Sequence, residues 1–158
     1  MKELLGALVI VAMLLGINVA LADATAGHTV TVIVEPINEV ALEGGDLELV
    51  IDSATAGERP DEANGTARLL WTTNDRDKKI TVATDRNSSA FSLRMEALNV
   101  SGGESAGIVS LSTTPRDLVV GISTTVGSAD LSYVASATAE AATGSEVHTV
   151  SFTITSAH

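Results

Sequence analysis

The sequence predicts an all-β fold: an immunoglobulin-like β-sandwich of about nine short strands, preceded by an N-terminal signal-peptide helix. Three observations carry this. Short runs of alternating apolar and polar residues recur between Gly, Pro and Asn-Gly breaks. No segment keeps a sustained 3.6-residue apolar period, as an amphipathic helix would. Alanine, serine, threonine, valine and glycine dominate, and aromatic residues make up only 3% of the chain. That balance suits many short strands rather than helices.

The chain has 158 residues, enough for one domain. Residues 1–22 read as a signal peptide. Met1, Lys2 and Glu3 form a short charged start, residues 4–19 are almost wholly apolar, and Ala20-Leu21-Ala22 offers small residues where a signal peptidase cuts. Cleavage after Ala26 is the fallback, and a retained membrane anchor is the alternative. A pilin-type leader cut after Gly6 lacks a Glu at the fifth following position, where Val11 sits. Residues 23–158 are then a single sandwich domain of roughly 136 residues, long enough to bury a core.

Strands are expected in order along that domain. Residues 28–34 alternate Val30, Val32 and Val34 against Thr29, Thr31 and Ile33, and Pro36 stops them. β-Branched residues on both faces favour a strand. Residues 37–42 follow, ended by Gly44-Gly45. Residues 46–52 set Leu47, Leu49 and Ile51 against Asp46, Glu48, Val50 and Asp52. Residues 53–65 form the longest loop. Residues 66–85 read as a hairpin: Ala67, Leu69 and Trp71 share one face of the first arm, Ile80 and Val82 one face of the second, with a polar break at 74–78. Residues 90–100 put Phe91, Leu93, Met95 and Ala97 on one face. Residues 106–112, the apolar run 118–122, residues 130–138 and residues 146–155 complete the set. In the last, Val150, Phe152 and Ile154 form the dry face. Residues 139–144 are too short to stand as a helix and read as a turn.

Charge and chemistry narrow the role. Twenty acidic against nine basic residues give a net charge of −11. That is the wrong sign for nucleic acid or anionic lipid. There is no cysteine, so an exported chain must hold by packing and sheet hydrogen bonds. No G-x-S-x-G, H-E-x-x-H or phosphate loop occurs, and the chain reads as no enzyme, with no cofactor. His28, His148 and His158 lack the spacing and the cysteines of a zinc site and read as exposed histidines. Asp75, Asp77 and Asp85 are diluted by Arg76, Lys78 and Lys79, and Glu58, Asp61 and Glu62 read as loop charge, so no metal site is expected. Asn64, Asn87 and Asn99 open N-x-S/T sequons. Trp71 in a dry strand is expected in the core rather than as a sugar platform.

Trp71-Thr72-Thr73-Asn74, Lys78-Lys79-Ile80-Thr81, Leu111-Ser112-Thr113-Thr114 and residues 117–123, taken with the closing strand 149–155, resemble secreted, cysteine-free, Ala/Thr/Val-rich bacterial surface proteins. These are similar in design to extracellular fibre and fimbrial subunits, although the disulfide of chaperone–usher pilins is absent. The resemblance implies assembly rather than catalysis.

Two roles follow. In the first, the chain is a structural subunit of a secreted, cell-surface filament or surface layer. Its partner is itself, with no nucleic acid and no stable membrane insertion after signal cleavage. Thr29, Val30, Thr31, Val32, Ile33 and Val34 then form a donor strand, within residues 23–34, that completes the sheet of the next subunit. Val150, Phe152 and Ile154 are the alternative assembly strand. In the second, it is a monomeric surface binding module, an adhesin or carbohydrate-binding domain. That role calls for an exposed aromatic or a metal-bound loop near residues 53–65.

Overall fold

The computed structural model describes residues 24–87, 90–141 and 143–158. The expected signal peptide, residues 1–22, lies outside them. The chain divides into two units, Met1–Ile33 and Val34–His158, a boundary that falls inside the expected donor strand, residues 29–34. In the first unit the described residues, 24–33, include no strand.

The second unit is all-β. Among its described residues the strands are β1 (Asn38–Glu43), β2 (Ala63–Thr73), β3 (Lys78–Thr84), β4 (Phe91–Ser101), β5 (Glu104–Ser105), β6 (Val109–Ser110), β7 (Arg116–Ile122), β8 (Thr125–Ala137) and β9 (Val150–Ser156). They form two antiparallel sheets, ordered β1-β2-β8-β4-β6 and β5-β7-β3-β9, and no helix occurs among the described residues. One apolar cluster lies between the sheets. Leu69 and Trp71 of β2, Met95 and Ala97 of β4, and Leu131 and Tyr133 of β8 meet Ile80 and Val82 of β3 and Leu118, Val119 and Ile122 of β7. Two one-sided sheets covering each other in this way is consistent with a β-sandwich.

The alternation in sequence becomes the inward face of each strand. In β8, Gly127, Ala129, Leu131, Tyr133 and Ala135 are all buried, and this thirteen-residue strand pairs with both β2 and β4. Burial raises the Tyr133 phenol to about 12, because a phenolate is poorly solvated there. In β7 the consecutive residues Leu118 and Val119 are both buried. Shifts of register between β3 and β7 break the simple alternation there.

The expected hairpin at 66–85 is an arch instead. β2 and β3 lie in different sheets and do not pair. One dry face per arm is satisfied by either arrangement, since a second layer covers it in both. What differs is the pairing: both edges of β2 are taken by β1 and β8, and both edges of β3 by β7 and β9. Leu69 and Trp71 therefore face Ile80 and Val82 across the core. The link spans residues 74–77, with Asp77 in the left-handed region at φ 53°.

Other expected strands differ. Residues 46–52 form none, although Leu49 packs on the core. Its side chain and that of Leu47 lie over Gly65, where no Cβ stands in the way. Asn64-Gly65, read as a loop end, lies inside β2. Residues 106–112 yield only the two-residue β6. The two-residue β5, Glu104 and Ser105, lies between two expected strands.

Candidate assembly site

The expected donor residues are the most exposed apolar run in the described chain. Thr29, Val30, Thr31, Val32, Ile33 and Val34 form no strand. Val30, Val32, Ile33 and Val34 are 69%, 80%, 75% and 72% exposed. The strand expected from their composition is therefore absent in the single chain. β-Propensity stiffens an extended backbone, but a strand exists only where its N–H and C=O groups find a neighbouring ladder.

The segment just after this run is held firmly. The Asn74 side chain donates from Nδ2 to the Glu35 carbonyl at 2.8 Å and accepts the Ile37 N–H on Oδ1 at 2.7 Å. The Asn74 N–H donates to the Ile37 carbonyl at 3.2 Å. Thus the arch residue Asn74 grips residues 35–37 much as a strand would. Next, Asn38 Nδ2 donates to Asp75 Oδ2 at 2.9 Å, and the Thr73 hydroxyl donates to Asn38 Oδ1 at 2.8 Å. Lys78 Nζ lies 3.2 Å from the same Asp75 oxygen. The Asn38 amide and the Lys78 ammonium hold the Asp75 carboxyl below its ordinary value. In sequence, residues 74–78 read only as a polar break. An Asn, with two donors and two acceptors on one side chain, was the signal that this break fastens another segment.

Val150, Phe152 and Ile154, the alternative assembly residues, lie in β9. They pair with Thr84, Val82 and Ile80 of β3 and face the core, half-buried. β9 ends its sheet, so its other edge carries no partner strand among the described residues. Asp85 fastens its approach: its Oδ1 accepts the Thr149 N–H at 2.9 Å, and its own N–H donates to the Thr149 carbonyl. That bond is the main reason the Asp85 carboxyl titrates below its ordinary value.

Two of the acidic loop residues have partners within the fold. Glu62 accepts from Arg94 at 2.6 Å and Asp61 from the Ser53 hydroxyl at 2.9 Å. Among the described residues no group of three or more His, Cys, Asp or Glu is arranged to hold a metal ion. His148 differs from the exposed strand histidine expected. It precedes β9, its side chain is largely covered, and it packs edge-on against Phe91 while contacting Glu146 and Thr84. Trp71 is core, as expected. Asn99 stands at φ 50° where β4 slips register, and its amide donates to Asp130. The sequence matches no protein-family model and no curated protein.

Proposed function

We propose that this chain is a subunit of an extracellular filament or surface layer that polymerises by strand exchange, on an immunoglobulin-like sandwich. One observation carries the reading. Residues 29–34 combine strong β-propensity and alternating valines with an exposed, unladdered backbone. An extended segment with no partner in its own chain is suited to adding a strand to a neighbour's sheet. A head-to-tail contact of this kind does not close on itself, so it builds a fibre. The partner is another copy of the chain, and the acidic surface keeps nucleic acid away. The N-terminal apolar stretch directs export, and the subunit works outside the cell without catalysis. The binding-module reading calls for an exposed aromatic or a metal-bound loop near residues 53–65; Trp71, its aromatic candidate, is buried.

The test is a deletion of residues 23–34 that keeps the export signal. Residues 35–37 and strands β1 to β9 remain, so the truncated domain should fold yet form no filaments by electron microscopy. Undiminished filaments from it would sink the proposal.

A further inference from the structure

Resting on the strand-exchange reading, we infer that the acceptor is the free edge of β9, which receives residues 29–34 of a second copy of this chain. The two sheets have four edge strands: β1, β6, β5 and β9. β5 and β6 are two residues long, too short to template a strand. β1 carries Glu39 and Glu43. β9, Val150–Ser156, is seven residues long and has no charge, proline or glycine. Exposed edges are normally guarded by charges, prolines or bulges against unwanted pairing. β9 has none of these guards.

The side chains fit the same assignment. Along β9 the inward residues Val150, Phe152 and Ile154 alternate with exposed Ser151, Thr153 and Thr155. Their partners on β3, Val82 and Ile80, are fully buried, whereas these three are only half-covered. On the facing sheet Val40 of β1 is likewise half-covered, and Leu42 is 44% exposed. β1 and β9 meet at the arch, where the Asn38 side chain donates to Asp75 and the Ala157 N–H to the Asp77 carbonyl. No hydrogen bond between described residues ties β1 to β9 farther along. An added strand there would cover the half-exposed row. Val30, Val32 and Val34 match the three inward β9 positions in number and two-residue spacing. Charge permits a second copy as the occupant: each chain carries a net charge of −11, and pairing these two stretches brings no like charges into direct contact. Residues 29–34 and β9 are both uncharged.

The chain has no cysteine, so disulfide trapping can read the contact directly. Thr31→Cys places a thiol on the outward side of the arm. It is mixed, under mild oxidation, with a second full-length chain carrying Ser151→Cys, Thr153→Cys, Thr155→Cys or, on the competing edge, Glu39→Cys. All these positions are exposed, so the variants should fold. The expected result is a disulfide-linked dimer with one β9 position and none with Glu39→Cys. Linkage to Glu39→Cys alone overturns the assignment to β9 while leaving strand exchange intact. So does wild-type filament formation without linkage to any β9 position. A chain carrying both Thr31→Cys and the linking β9 cysteine distinguishes the occupant. Intermolecular linkage supports the proposal; an internally linked monomer overturns it, because the arm then closes on its own domain. Absence of both filaments and linkage removes the parent reading as well.

Discussion

At the scale of single residues, the closest fit in the core is Trp71 over Gly127. These two are cross-strand partners in β2 and β8, and a Cβ on Gly127 would fall inside the indole, against Cε2, Nε1 and Cζ2. Trp71 is almost fully buried, so the ring has no room to swing away. Its Nε1 has no hydrogen-bond partner among the described residues. A buried indole N–H without a partner is itself costly, and the position is held by packing alone. Gly127→Ala should therefore cost about 1–3 kcal/mol, the usual penalty for overfilling a packed core. A shift of the urea midpoint to lower concentration at unchanged slope would show it. A midpoint equal to wild type would mean that the indole can move. This glycine was not legible as special in Thr124-Thr125-Val126-Gly127-Ser128, because its neighbour across the sheet is fixed by register and not by local sequence.

At the scale of elements, alternation was legible and pairing was not. Leu69 and Trp71, Ile80 and Val82, and Met95 and Ala97 all face the core as their spacing demands. A period of two says which side of a strand is dry. It does not say which strand lies alongside, and the arch at residues 74–77 satisfies the same pattern as a hairpin. Residues 46–52 show the other limit. Leu49 packs on the core as its spacing predicts, yet no neighbouring edge among the described residues gives this stretch a ladder. The arm at 29–34 is the same case, and the proposed assembly rests on it. Its candidate residues could be chosen from sequence, but its exposure depends on the fold of the rest. If its three valines enter a neighbour's groove, each contributes about 1.5–3 kcal/mol, or roughly 5–9 kcal/mol together before ordering costs. Val32→Asp is the sharpest probe, because a carboxylate there would be buried unpaired or forced to protonate. Val32 is 80% exposed in the single chain, so the variant should match wild type in thermal unfolding of the monomer and fail to form filaments near neutral pH. Thr31→Asp, on the opposite face, should assemble much more readily. Equal defects from the two would show the arm buried on both sides. Normal fibres from Val32→Asp would place the donor elsewhere.

For the whole molecule, charge sets when copies can approach and pH separates that effect from folding. At neutral pH the net charge of −11 opposes association, and added salt should relieve this by screening. Acidification does the same by neutralising carboxylates, reaching zero net charge near pH 4.5. Asp75 at the arch and Asp85 before β9, which fasten other segments of the chain, titrate only below that range. Both titrate below the ordinary aspartate value of 3.8 in the folded chain. A carboxyl held low by native hydrogen bonds binds its proton more readily in the unfolded chain. Its contribution is therefore complete above pH 3.8 and fades as pH falls through the lower folded value. The order of events follows. From neutrality down to about 4.5 the repulsion between copies disappears while the bonds of Asp75 to Asn38 and of Asp85 to Thr149 persist. Below 3.8 those bonds loosen, freeing the start of β1 and the approach to β9. Filament growth, followed by light scattering on the full chain, should rise as pH falls from 7 towards 4.5. The urea midpoint should hold over that span and drop only below 3.8. Asp75→Asn and Asp85→Asn should each lower the midpoint at neutral pH and flatten its fall in acid. Growth that is fastest at neutral pH and low salt would show that charge repulsion does not govern assembly.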